Sequence, residues 1–376
     1  MQATPQQFLL AFEDMAAVVP IPLPPIVIPP LPAGVAEYPQ LRYMGSKHRL
    51  LPWVHSVLAE LTFSTALDAF SGSGCVAYLL KHMGKQVCAN DFLHFSSVIG
   101  AAVIGNSHQL LTEEDCSLLL RTNRRRKQFI ERTFTGVFYD VESLRFLDNF
   151  WANLPQLESD EKRAMALSSI FRACVKKQPR GVFTVTGDPL RYDDGRRDLR
   201  LSLREHFLES AAAFNQVVFD NGHANSARQG DVYDIPPGAF DLVYMDPPYV
   251  PRADDNCYIK RYHFLEGLAS YWRASGTEIL TETMSHKIPK RFTPFSYRRT
   301  AVDAFRRLFQ HFHRSTLVLS YSSNGYPSLP VLVELMREVK PVVVVHEKEH
   351  RYHFGTHDRV SEERASVREF LIVGSE

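Results

Sequence analysis

The chain has 376 residues, enough for one large α/β domain with a second module or for two ordinary domains. Its hydrophobic fraction of 45% is that of a soluble protein with a core, and a net charge of +1 excludes a polycation, so a polyanionic partner must be met by locally concentrated charge. Five cysteines with no CxxC pair argue against a disulfide framework or a structural zinc site and fit a reducing cytoplasm.

Residues 15 to 34, MAAVVPIPLPPIVIPPLPAG, carry no charge, but seven prolines between 20 and 32 exclude a membrane helix, which cannot lose so many backbone donors. Glu13 and Asp14 stand where a signal peptide would be basic. Residues 1–37 are therefore expected to be a proline-rich arm, disordered or lying on a surface. Leu41 to Lys47 reads as a short strand or turn, and a helix follows over about 48 to 60. Thr65 to Phe70 is an apolar strand, SGSG at 71 to 74 a loop, Cys75 to His82 the start of a helix, and Gln86 to Ala89 a second strand closed by Asn90-Asp91. That order is a βαβ unit in a parallel sheet.

Residues 105 to 225 change character. Thr112 followed by Glu113, Glu114 and Asp115 is a capped helix start, and that helix is expected to end in RTNRRRKQFIER, 121 to 132. Further helices are predicted near 143–153, 158–176 and 198–217, with a Gly-, Pro- and Arg-rich loop from Gln178 to Arg197. The α/β rhythm returns at 228, with Gln229-Gly230-Asp231, the strand Asp241 to Met245, a helix over 299–314, the strand Thr316 to Tyr321 and a helix over 328–339. The last two strands, VVVVHE and Ala365 to Val373, have no convincing helix between them and are expected to pair antiparallel. The histidines offer no metal spacing: HFH at 311 to 313 puts two imidazoles on different faces of a helix.

Three stretches carry chemistry. In DAFSGSG, Asp68 to Gly74, glycines after a strand and before a helix let a ligand approach the backbone, although G-x-G without a third glycine also fits a simple turn. Asp91, at the end of the second strand, can take the two hydroxyls of a ribose or cap the next segment. Asp246-Pro247-Pro248-Tyr249 ends a buried strand with a carboxylate, a carbonyl on a rigid backbone and an aromatic ring. This set suits methylation of an exocyclic amine, whose lone pair is delocalised until acceptors on its N–H bonds draw it toward a tetrahedral geometry. Tyr249 can stack on a base that has left the duplex.

Together these resemble an S-adenosylmethionine-dependent N6-adenine DNA methyltransferase of the alpha group, the DNA adenine methylase or D12 class family. The resemblance covers about 41 to 374. It implies a Rossmann-like methyltransferase fold: a mostly parallel twisted sheet with an antiparallel C-terminal strand, built from 38–105 and 226–376. A mainly helical target-recognition domain is expected to be inserted at 106–225. It implies donor binding by Tyr43, Lys47, Asp68, Phe70, Gly72, Gly74 and Asp91 and catalysis by Asp246 to Tyr249. Asp231, after Gln229-Gly230 at the end of a strand beside Asp246 to Tyr249, is equally consistent with an acceptor for the amino group of the donor's adenine and with a plain turn. The family's N-terminal motif commonly has Trp and Gly-Gly where Tyr43 and Gly45-Ser46 stand, and Tyr can still stack. Tyr258, Tyr262 and Phe264 are equally consistent with pocket walls and with core aromatics, and Ser320 to Asn324 resembles a further family motif beside the pocket.

The implied partner is double-stranded DNA, with no metal, no membrane and a cognate restriction endonuclease as a candidate companion. Phosphate contacts are expected from Arg124, Arg125, Arg126, Lys127, Lys177 and Arg180, with Phe183 and Tyr192 interleaved. Rival readings are an RNA adenine methyltransferase and a catalytically silent DNA-binding subunit. A protein-glutamine or a cytosine-amine methyltransferase would more often carry Asn or Ser in place of Asp246.

Overall fold

A computed structural model describes residues 29–187, 195–251, 257–351 and 366–376. Most of the proline-rich arm and Tyr192 lie outside the described residues. The strands are β1 (Thr65–Asp68), β2 (Gln86–Asp91), β3 (Ser226–Gln229), β4 (Leu242–Met245), β5 (Val250–Pro251), β6 (Thr316–Ser322), β7 (Gly325–Tyr326), β8 (Val342–Arg351) and β9 (Ser366–Ser375). Seven form one sheet in the order β3-β2-β1-β4-β6-β9-β8, and β5 pairs with β7 in a short antiparallel ribbon. From β3 to β6 every pairing is parallel, whereas β9 runs antiparallel to both β6 and β8. This is the expected Rossmann-like sheet with its antiparallel C-terminal strand. β4 is buried on both faces, as a central parallel strand must be, so it reads as an unbroken apolar run.

Helix α1 (Leu51–Leu58) precedes β1, and the glycine loop joins β1 to helix α2 (Cys75–His82) at the predicted residues. Gly72 and Gly74 sit at φ +52° and +79°, and a Cβ on Gly72 would stand 2.9 Å from the ring of Tyr43. The chain before β1 is packed from further back than the expected arm boundary at 37. Val35 is fully buried, and the Tyr38 hydroxyl donates to the Ser73 carbonyl at 2.6 Å.

Two apolar clusters cover the two faces of the sheet. The first joins α2, helix α3 (His94–Gly100) and the helices between β2 and β3; the second gathers around Phe305, Phe309 and Leu332 from the helices flanking β6. The helix opened by Thr112 stops at Leu120, short of the expected end, and 121–128 is a turn. Asn123 holds that turn: its N–H donates to Asn149 Oδ1 at 2.7 Å, and its side chain amide to Asn153 Oδ1 at 2.9 Å. A helix not expected from the sequence, α4 (Tyr258–Ser270), follows β5. Among the described residues no helix is long and apolar enough to cross a membrane.

Candidate active site

The carboxyl ends of β1, β2 and β4 open on a cleft of about 570 Å³, its open mouth included. Tyr43 to Lys47, Asp68, Phe70, Gly72, Asp91, Asp246, Pro248 and Tyr258 line it. Chain segments more than two hundred residues apart, such as Tyr43 and Tyr258, meet here because parallel strands deliver their carboxyl ends to one edge, where open α/β sheets bind ligands.

Lys47 and Asp246 form the centre of the site. The Lys47 ammonium reaches both carboxylate oxygens, at 2.9 and 2.8 Å, and also donates to the Gly45 carbonyl at 3.2 Å. The lysine side chain is 4% exposed and that of the aspartate 21%, so the carboxylate keeps one side open to the cleft. Burial pushes the Asp246 carboxyl above its ordinary range, and the adjacent ammonium holds it down. Lys47, expected to bind the donor, lines the cleft and is also paired with Asp246.

Asp68 and Asp91 are buried nearby. Asp68 Oδ2 accepts from the Ala77 N–H at 3.0 Å, while Oδ1 is buried with no hydrogen-bond partner. Burial, then the Asp246 charge, raises its pKa to about 8. Asp91 accepts from Leu93 N–H and Gly72 N–H, both at 2.8 Å, and burial raises it to about 7 against those bonds. Three carboxyl groups around a cleft with a single lysine favour a cationic ligand, since ionising them without one is costly.

Tyr43 stacks on Tyr262, with ring centroids 5.2 Å apart and planes within 2°, and on Tyr258 at 5.4 Å. Both partners come from α4 and tie down the same loop: Met44 N–H donates to Tyr262 Oη at 2.7 Å, and the Tyr258 hydroxyl donates to the Met44 carbonyl at 3.2 Å. The aromatics left open by the sequence thus divide. Tyr258 walls the cleft, Tyr262 is a buried clamp, and Phe264 is core, packed on Phe134, Phe138 and Phe183.

Tyr249 leans on Tyr321 with centroids 4.7 Å apart, and both rings rest on the bare backbone of Gly325, where a Cβ would stand 2.7 to 2.8 Å away. The Tyr321 hydroxyl donates to the Pro327 carbonyl at 2.8 Å. The Ser320 to Asn324 stretch therefore forms one support of the Tyr249 ring. Asp231 is not beside Asp246: it ends the edge strand β3, with β2 and β1 intervening before β4, and it caps the turn Val232–Asp234 by accepting from Tyr233 N–H at 3.0 Å.

The expected cationic residues separate in the same way. Arg124, Arg125 and Lys127 are exposed on the Asn123 turn, and Arg180 is exposed too. Arg126 is turned inward to Glu131, 3.6 Å away. Lys177 donates to the Leu199 and Leu201 carbonyls at 3.3 and 2.6 Å, so its ammonium serves the end of helix Arg197–Arg200. A second positive segment, not among the expected phosphate contacts, lies at 283–302, which has five Lys or Arg and no acid, a signal legible in composition.

Comparison with known proteins adds an independent line. The family model for D12 class N6 adenine-specific DNA methyltransferase matches residues 43–318. The chain is 28% identical over 330 residues to type II methyltransferase M2.HphI of Haemophilus parahaemolyticus, covering 84% of this chain and 93% of that one. It is 23% identical over 357 residues to modification methylase LlaI of Lactococcus lactis subsp. lactis, 88% of this chain and 54% of the other. With modification methylase StsI of Streptococcus sanguinis it shares 25% over 322 residues, 79% of this chain and 46% of the other. It thus spans about half the length of those last two.

Proposed function

Because the chain belongs to the D12 class N6 adenine-specific DNA methyltransferases, we propose a division of labour among its cleft residues in moving a methyl group to adenine in DNA. The observation that carries it is the Lys47–Asp246 pair, fixed at the end of β4 with one carboxylate side open to the cleft.

The family implies an S-adenosylmethionine donor, and the residues present fit such a molecule. When bound, it supplies an electrophilic methyl group on a positively charged sulfur. The unpartnered Asp68 Oδ1 is an acceptor for an ammonium, and Asp91 for ribose hydroxyls. Tyr43, held by Tyr258 and Tyr262, offers a ring edge to the cleft. Gly72 lets that ring approach the loop backbone.

At the other end, the Asp246 carboxylate accepts one N–H of the extruded adenine and the Pro247 carbonyl the other. Neither proline brings an N–H of its own to compete. Tyr249, propped on Tyr321 and Gly325, stacks on the base. Held by these two acceptors, the nitrogen would take the methyl group that the donor supplies, and the proton it gives up would leave to solvent past the open side of Asp246. S-adenosylhomocysteine and N6-methyladenine result. Arg124, Arg125, Lys127 and Arg180 meet phosphates from the helical segment 106–225, which we assign to target recognition. We place the protein in the cytoplasm, with a cognate endonuclease as its companion.

The test is methyl transfer from labelled S-adenosylmethionine to unmethylated duplex DNA and to RNA in parallel, followed by nucleoside analysis. N6-methyladenine in DNA alone is expected; label confined to RNA would overturn the substrate. A second prediction concerns pH. Asp68 and Asp91, raised to about 8 and about 7, are partly protonated in the free protein near neutrality. A cationic donor needs them ionised, so donor affinity should rise with pH up to about 8, with net proton release on binding. Calorimetric titration in two buffers of different ionisation heat reads this directly. Affinity independent of pH would remove these two acids from the donor site.

A further inference from the structure

Residues 288 to 298 leave one face of the sheet and arrive on the other. Ile288 belongs to the first apolar cluster and Phe295 to the second. On the way the segment follows the carboxyl ends of the strands. Arg291 lies 3.1 Å from Glu266, a fully buried acid on α4, and donates to the carbonyl of Phe92, just after β2, at 3.4 Å. Phe295 meets Phe70, just after β1, edge-on at 5.6 Å. The Arg298 guanidinium lies 4.6 Å over Tyr326, whose strand partner is Val250, the residue after Tyr249. The inner side of this strap is thus fastened to the rim of the cleft at three points.

Its outer side is unlike an ordinary protein surface. Phe292 is 67% exposed and Tyr297 45%, and the two rings stack on each other at 5.2 Å with planes 22° apart. Arg298 and Arg299 are exposed directly beside them, and no acid occurs between Glu282 and Asp303. A paired aromatic surface flanked by cations, at the mouth of a cleft that must receive an extruded base, matches nucleic acid in both charge and π-face. Extrusion of the target leaves its neighbours with uncovered faces, which is what such a pair can cover.

We propose that this strap is a second DNA-contacting element, separate from the helical segment 106–225. In it, Phe292 and Tyr297 stack against the base step opened by the departing adenine, and Arg298 and Arg299 hold the adjoining phosphates. The inference rests on the assigned cleft. The experiment uses the full-length chain with unmethylated plasmid DNA and reads donor affinity, DNA affinity against salt, and single-turnover methylation. The doubly substituted Phe292→Ala, Tyr297→Ala protein should lose about 10- to 100-fold in methylation rate with donor affinity unchanged, and Phe292→Trp should stay near wild type. Arg298→Ala with Arg299→Ala should lower the salt slope of DNA binding by about two. Both double variants keeping wild-type DNA affinity and rate would overturn the proposal, as would a loss of donor affinity that accounts for the whole loss of rate. Wild-type methylation in the same assay separates failure of the strap from failure of the cleft assignment, and DNA affinity reads the strap independently of turnover.

Discussion

Asp246→Ala is expected to lower single-turnover methylation by about 10²- to 10³-fold, the scale on which losing a fixed polar partner of the reacting group is felt. The reasoning begins with the substrate: an aniline-like nitrogen is a poor nucleophile until its N–H bonds are engaged out of the ring plane. The acceptor must already be in place, because reorganising it costs what the engagement gains. Asp246 is in place through two contacts to Lys47 and through the backbone stiffness of Pro247 and Pro248. The same pair makes the alanine variant less stable, since it takes the counter-charge from an ammonium that is only 4% exposed and leaves it the Gly45 carbonyl, a neutral acceptor. Removing one partner of a fully buried pair costs about 3 to 5 kcal/mol, and less is expected where, as here, one group is 21% exposed. Loss of rate and loss of fold must therefore be separated. Asp246→Asn keeps the shape and removes the charge, but turns one acceptor into a donor facing the substrate's own N–H. It should be as inactive as alanine while melting closer to wild type. An Asn variant within tenfold of wild-type turnover would remove Asp246 from the chemistry.

Why this pair was only half legible in the sequence is instructive. Asp246 could be read because Asp-Pro-Pro-Tyr ends a buried strand, and a strand that stops on two prolines is a local fact. The β1–glycine loop–α2–β2 unit was legible for the same reason: turn chemistry, apolar runs and a capping glycine are written in consecutive residues, and the helix begins at Cys75 as predicted. The pairing of β8 with β9 followed from the absence of a crossover helix. What escaped depends on contacts across the chain. Lys47 and Asp246 are 199 residues apart, and nothing near Lys47 names its partner. Asp231 was expected at the end of a strand beside Asp246, but parallel topology sends β3 to the edge and β4 to the middle, an order that no local stretch of sequence states. Helix α4 was missed because it is buried on several sides and its buried residues include His263 and Glu266, so no apolar 3.6-residue stripe is written in it: it is packed between the cleft loop and the helices before β3. Lys177 looked like a phosphate ligand because charge in a sequence carries no record of which carbonyls will claim it.

Lys47→Met should reduce the rate at neutral pH by about 10²-fold and shift the acid limb of the kcat profile upward by at least about one unit. The sign follows from the site. Burial already raises the Asp246 carboxyl, and the Lys47 ammonium opposes that. Without the ammonium the carboxyl holds its proton to higher pH, and a protonated carboxyl presents a donor where the substrate needs an acceptor. Activity should therefore return in part as pH rises, which no loss of packing would produce. The double variant Lys47→Met, Asp246→Asn should be little worse than Asp246→Asn alone, because the lysine acts through the carboxylate. Lys47→Arg keeps a charge but brings a planar fork into a space shaped for a compact ammonium, so it should recover only part of the rate. The competing role, lysine as a ligand of the donor, predicts a different pattern: weaker donor binding, an unshifted kcat profile, and additive losses in the double variant. The contacts at 2.8 and 2.9 Å favour the first pattern, since the three N–H bonds of the ammonium already have Asp246 Oδ1, Asp246 Oδ2 and the Gly45 carbonyl as acceptors.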